Sequence, residues 1–264
     1  MSAALASPWR SPRLKLAAYR SVWTQGLSLA AGLAIWQLFG LALHVAWLPP
    51  FSTVLAKLGL LWEQGRLQPH LLDSLSNLAI GYTICVVGGV GLGTLMVIFP
   101  KLDYALRPYV DALMLAPSIV LAPVLFVFLG LSRWLPVSVI IVYALVYIIA
   151  NTYTAVSEVD RELLAMARSF GASRWQTFTN VVLPGSGPLL FAGLRIGLGR
   201  AVKGMINGEL IITVVGLGAL HEEFDGAFDV PGILAIALIV IIVALVTTAV
   251  LQIADRRVNA WVHR

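Results

Sequence analysis

The 264-residue sequence contains one cysteine, Cys85, and only 12% charged residues. A single thiol excludes an internal disulfide framework and a cysteine-based metal site. Set inside an apolar run, Cys85 reads as a small buried side chain. Soluble domains carry about 25% charged residues, so at half that fraction much of the surface must face something other than water. No G-x-x-x-x-G-K-[ST] run is present, which removes the commonest phosphate-cradling loop. The glycine cluster GGVGLG at 88–93 lacks that spacing and reads as close helix packing. There is no H-E-x-x-H and no nucleophile elbow, and HEEF from residue 221 reads as a polar loop. No residue set suggests a catalytic or metal centre.

What is present is apolar length. Hydrophobic residues make up 59% of the chain, and the mean hydropathy is +0.89. A spanning helix needs about 20 mostly apolar residues. Six stretches qualify: 22–43, 75–99, 106–129, 135–156, 188–215 and 233–253. The third is interrupted by Pro117 and Pro123, which predict a kink that serves either as a gate hinge or as plain packing. The expected fold is therefore an all-α integral membrane protein with six transmembrane helices. Residues 1–21 are expected to form a basic, weakly structured cytoplasmic arm, and residues 22–264 the transmembrane domain. The first run exceeds the 7–15 residues of a signal-peptide core and has no small-x-small cleavage site, so it is expected to be a span.

The net charge of +5 raises the question of nucleic acid. The cations flank apolar segments and no aromatic-basic recognition motif occurs, so that partner is excluded. With the N-terminus inside, the cytoplasmic pieces hold Arg10, Arg13, Lys15, Arg20, Lys101, Arg107, Arg161, Arg168, Arg174, Arg256, Arg257 and Arg264. The outer pieces hold only Lys57, Arg66 and Arg133. This asymmetry predicts an N-in, C-in topology. The acidic stretch HEEFDGAFD at 221–229 then falls in an outer loop. On the same side, Pro49-Pro50 stops the first span, and Ser52 is expected to cap a short interfacial helix carrying Val54, Leu55, Leu58, Leu61 and Trp62 on one side.

Residues 157–187 become the longest inner segment. Asp160 can cap a helix whose Leu163, Leu164, Ala167 and Phe170 recur at helical spacing. Gly171 interrupts it. Ser173 can cap a second short helix presenting Trp175, Phe178 and Val182, which Pro184 is expected to end. Exposed aromatics beside Arg168 and Arg174 suit either a protein interface or a helix lying on lipid; these residues alone leave both open.

The order Gly171, nine residues, Val181, one residue, Leu183-Pro184 resembles the E-A-A-x3-G-x9-I-x-L-P loop of ABC-importer permeases. The surrounding VDRELLAMARSFGASRWQTFTNVVLP is similar to the branch serving nitrate, sulfonates and taurine. LPPFSTVLAKL, LLDSLSNLAIGY, NTYTAV and GLRIGLGRA extend the likeness over nearly the whole chain after the arm. The motif glutamate falls on Ala165, in the triplet Ala165-Met166-Ala167, and Glu162 lies on the same helical side as a substitute. The resemblance implies a type I ABC importer permease fold, located in a bacterial inner membrane, with a cytoplasmic coupling helix between spans four and five. It implies docking on an ATPase through Glu162, Ala165, Ala167, Phe170, Gly171, Ala172, Arg174, Trp175, Phe178, Leu183 and Pro184. Implied partners are two ATP-binding subunits, an extracytoplasmic solute-binding protein and a second copy of the chain. ATP and Mg would bind the partner ATPase, with no cofactor in this chain.

The fifth span, GLRIGLGRAVKGMINGELI, carries charge inside the membrane, which costs several kcal/mol unless it faces a cavity or partner. Arg200, Lys203 and Asn207 fall at i, i+3 and i+7, with Glu209 further along; Gly193, Gly197, Gly204 and Gly208 form a small-residue stripe suited to helix contact. Arg195 is placed to snorkel to the interface. Arg200, Lys203, Asn207, Glu209 and Pro117 are candidates for the translocation path, favouring a small anion such as nitrate, a sulfonate, taurine, bicarbonate or an aromatic acid, with neutral or cationic vitamin precursors as the alternative solutes. The alternative is a structural pairing of Arg200 or Lys203 with Asp111 or Glu209 that seals a dimer interface. In the resembled family the Lys203 position is commonly apolar, which ties this lysine to solute choice. Other classes of function are an ion-coupled secondary transporter, for which no internal repeat is visible, and a non-transporting membrane scaffold.

Overall fold

The computed structural model describes residues 12–212 and 215–259; the expectations for residues 1–11 and for Arg264 lie outside them. The described residues form helices and connections, with no strand among them. In chain order the helices are α1 (Pro12–Leu43), α2 (Phe51–Glu63), α3 (Leu67–Ile98), α4 (Pro100–Leu115), α5 (Ser118–Leu129), α6 (Trp134–Ser157), α7 (Arg161–Ser169), α8 (Arg174–Thr177), α9 (Leu183–Ile212), α10 (Gly216–Gly226) and α11 (Val230–Val258). Five of them (α1, α3, α6, α11 and the continuous run ending in α9) are long and apolar enough to cross a bilayer, and the bent pair α4–α5 makes a sixth crossing if it is one span.

The third apolar stretch is not one kinked helix. It breaks into α4 and α5, which meet at 105°. Ala116 precedes Pro117 and is extended, at φ −65° and ψ 136°, as the proline ring requires of its predecessor. Pro123, by contrast, is accommodated inside α5. The helix α1 also reaches back to Pro12, into the arm expected to be weakly structured.

The centre of the bundle is α3, α6 and α9, held close by missing side chains. A Cβ on Gly204 would come within 2.9 Å of Ile140 Cα and 3.0 Å of Tyr143 Cβ; one on Gly208 would come within 2.9 Å of Pro136 Cα. Across the other seam, Gly81 and Gly89 of α3 lie against Ile140 and Ile148 of α6. Small residues let backbones approach until dispersion replaces the hydrophobic drive that lipid does not provide. Cys85, Ile140, Ala144, Ile148, Ala201 and Met205 fill the space between the helices.

At the end of the bundle carrying α2 and α10, the sequence expectation needs two corrections. The stretch expected as an outer loop at 221–229 is mostly helix, since α10 runs through Gly226. Its apolar side, Leu217, Leu220 and Phe224, packs with Leu61, Leu67 and Ile236, while Glu223 pairs with Arg66 at 2.6 Å. Ser52 does not cap α2: Pro50 holds that position without a side-chain bond, and Ser52 instead exchanges hydrogen bonds with Gln37 of α1 at 2.9 and 3.0 Å. The α1–α2 corner is reinforced by Trp36, whose Nε1 donates to Pro49 O at 3.0 Å. Val54 and Leu61 are buried, whereas Leu55 and Trp62 stay exposed.

Candidate functional site: the lever and the polar face of α9

The lever begins where α6 ends. Asp160 accepts a hydrogen bond from Glu162 N at 2.8 Å and starts α7. The helix ends in a complete Schellman arrangement: Gly171 N donates to Arg168 O at 2.9 Å and Ala172 N to Ala167 O at 3.0 Å. Gly171 sits at φ +73°, the left-handed conformation that this closure demands and that a Cβ resists. Two residues on, Ser173 forms a capping box with Gln176, its Oγ accepting from Gln176 N and its N donating to Gln176 Oε1 at 2.8 Å.

From there the structure departs from expectation. Pro184 does not end the second helix. Arg174 to Ile211 is one continuous rod, with residues Phe178–Val182 wound as a π-helical turn. Leu183 N bonds back to Phe178 O, so the register changes where Pro184, lacking an N–H, would otherwise leave a gap. The short helix and span five are therefore a single mechanical piece.

No side chain of α7 or α8 is buried. Phe170 is 85% exposed and Trp175 73%, while Trp175 and Phe178 rest against each other with ring centres 6.0 Å apart. Between α7 and the start of α9 lies an open groove of about 410 Å³, lined by Leu163, Met166, Ala167, Phe170, Val181 and Pro184. The structure thus brings Ala167, Phe170 and Pro184 together. Glu162 and Ala165 stand exposed on α7, Ala172 completes the turn, Arg174 opens α8, and Leu183 is half exposed at the rod's register change. Val181 of the loop motif and Met166 of its triplet line the groove too, and Asn180 joins it without having been singled out from the sequence. Burying an aromatic of this size stabilises a contact by about 2 kcal/mol.

Further along α9, the charged positions separate. The Arg200 guanidinium lies 4.1 Å from the centre of the Tyr147 ring, and Asn207 Nδ2 donates to Tyr143 Oη at 3.0 Å. Lys203 is exposed between them. Glu209 is fully buried on another side, accepting from Ser74 Oγ at 2.7 Å, Asn77 Nδ2 at 3.3 Å and Gly218 N at 3.3 Å. Among the described residues of one chain neither cation pairs with Glu209 or with the exposed Asp111; a pairing that seals the seam between two copies involves a second chain. Arg195 does not simply reach for the interface: it pairs with Asp255 of α11 at 3.2 Å. Pro117 stands at the α4–α5 break. Tyr143 and Tyr147, four apart on α6, are partners that the sequence does not single out.

Residues 86–260 match the family described as binding-protein-dependent transport system inner membrane component. The chain belongs to that family: it is a multi-pass inner-membrane permease subunit of an ABC importer, a translocation component rather than an enzyme. A probable ABC transporter permease protein of Brucella abortus (strain 2308) is 30% identical over 238 residues, 90% of this chain and 95% of that one. The riboflavin transport system permease protein RibX of Chloroflexus aurantiacus is 31% identical over 203 residues, 77% of this chain and 74% of that one. Other relatives are named as permeases for taurine, aliphatic sulfonates, nitrate and formylaminopyrimidine. The methionine ABC transporter MetNI in an inward-facing conformation shares the fold, with a TM-score of 0.59 at 19% identity over 73% of this chain and 94% of that one. Membership implies that the subunit works with ATP-binding subunits and a solute-binding protein.

Proposed function

We propose that two copies of this chain form the pore, oriented N-in and C-in, with one ATP-binding subunit gripping the lever of each copy. ATP and Mg bind those subunits. The observation that supports this reading most is the lever itself. A capped, rigid α7 turns at Gly171 into a rod that continues without a break from Arg174 to Ile211. Closure of the nucleotide-bound partners against Phe170 and Trp175 is transmitted along α9, whose glycine seam with α6 lets the helices tilt as packed bodies. Solute enters from the binding protein in one state and leaves inward in the other. The solute is a small anion: Lys203, Arg200 and Arg195 put positive charge on one spanning helix, and Asp255 answers only Arg195.

The test is reconstitution of the chain in proteoliposomes with its ATP-binding and solute-binding subunits. Uptake must require ATP and all partners. Uptake by the isolated chain, driven by an ion gradient, would identify a secondary transporter, and failure of any ATPase to co-purify would leave a scaffold.

A further inference from the structure

Lys203 lies about 30 Å along α9 from Leu183 and about 14 Å from Ile212, at 1.5 Å of rise per residue. An ammonium group at that depth costs several kcal/mol if it meets lipid. Yet Lys203 is exposed, and it takes part in no ion pair among the described residues. One turn back along the same face is Gly199, where a Cβ would meet nothing within 4 Å. The helix surface beside Lys203 is therefore uncovered within one chain.

Arg200 adjoins that uncovered surface and is held rather than neutralised. Its guanidinium lies on the Tyr147 face, and Tyr147 Oη donates to Met114 O at 3.3 Å, in the last turn of α4 before the 105° break. Stacking fixes the guanidinium plane and leaves its N–H edges free to donate. Asn207, one turn beyond Lys203, is likewise fixed by Tyr143. The only acid of α9 is Glu209, buried away from this face and satisfied by Ser74, Asn77 and Gly218. Within one chain, Arg200 and Lys203 thus stand one turn apart at mid-membrane depth, without a counter-ion among the described residues, beside the uncovered backbone of Gly199 and near the break of a bent span.

We infer that Gly199, Arg200 and Lys203 form a station for an oxyanion head group (a sulfonate, a carboxylate or nitrate) inside a water-filled translocation path. Lys203 supplies a mobile point charge, Arg200 a fixed two-pronged donor, Gly199 the room, and Tyr147 the positioning. The assignment rests on the proposed transport reading and adds the place and chemistry at which the solute is selected.

The test uses the assembled complex in membrane vesicles, with Cys85→Ala as background and Gly199→Cys as reporter. Two water-soluble methanethiosulfonates of similar size, one bearing a sulfonate and one a trimethylammonium group, are compared for their rate of modification. Side chains four apart on a helix are about 5–6 Å from each other, so removing one charge with Lys203→Met is expected to lower the sulfonate-to-ammonium rate ratio about threefold to tenfold, depending on salt. Arg200→Gln lowers it in the same direction. Lys203→Cys provides a second reporter, read against Arg200→Gln, should the first variant fail to assemble. Absence of modification at both reporters, with and without ATP, would mean lipid or a sealed interface between copies and would overturn the station. A ratio indifferent to both substitutions would overturn it as well. A ratio that responds as expected but never changes with ATP supports the station and contradicts the ATP-coupled reading.

Discussion

Substitution at Gly171 isolates backbone conformation from packing. A Cβ built there meets nothing within 4 Å, so steric crowding contributes nothing. What remains is φ +73°, which closes α7 and aims α8. An L-residue with a side chain pays about 1–2 kcal/mol for the left-handed region, asparagine pays least, and a β-branched side chain pays most. If the partner ATPase grips the lever in this conformation, that strain appears in the dissociation constant, because the free loop can relax and the docked one cannot. Every 1.4 kcal/mol is a factor of ten, so Gly171→Asn should weaken binding by no more than about twofold, Gly171→Ala by about fivefold to tenfold, and Gly171→Val by about thirtyfold or more. The assay is titration of purified ATP-binding subunit onto the detergent-solubilised permease, followed by ATP hydrolysis per assembled complex. Equal affinities across the three variants, or valine binding as well as asparagine, would refute the claim that the turn's geometry is what the partner recognises.

Other expectations follow from particular contacts. Glu209→Leu strands the donors of Ser74, Asn77 and Gly218 in the packed interior and should cost about 3 kcal/mol; thermal unfolding in detergent should fall by several degrees, and an unchanged midpoint would contradict the clamp. Gly204→Leu forces α9 away from Ile140 and Tyr143 and should lower the yield of monodisperse protein, at a cost of about 2 kcal/mol or more. Gly199→Ala, on the open face of the same helix, should be neutral or stabilising by up to about 1 kcal/mol in the same assay. Ser173→Ala removes the capping box and should cost about 1 kcal/mol locally, read as roughly fivefold faster amide exchange over residues 174–177.

Much of this architecture is written locally. Apolar length located the spanning helices but not their ends, since α3 begins at Leu67 rather than residue 75 and the fifth run at Arg174 rather than residue 188; Asp160, Gly171 and Ser173 announce the two caps and the turn because each acts on backbone groups only two or three residues away. What escaped depends on distant or ambiguous neighbours. Pro184 reads as a stop signal, and only the π-helical turn before it turns that signal into a continuation. Pro117 and Pro123 look alike in sequence; the structure breaks at the first and absorbs the second. Glu209 meets Ser74 and Asn77 across more than 130 positions, and no local pattern encodes that pairing. Tyr143 and Tyr147 sit in an apolar run where aromatics pass for core, so their hold on Asn207 and Arg200 emerges only when α6 meets α9.

The central claim is mechanical: the lever ending in the α9 rod is held by a separate ATP-binding subunit. A photoreactive amino acid in place of the 73%-exposed Trp175, irradiated in native membranes, tests it most directly. The account predicts an adduct with a Walker A-containing subunit whose yield changes when ATP is trapped on the complex. Adducts with lipid alone, in the presence and absence of nucleotide, would contradict it.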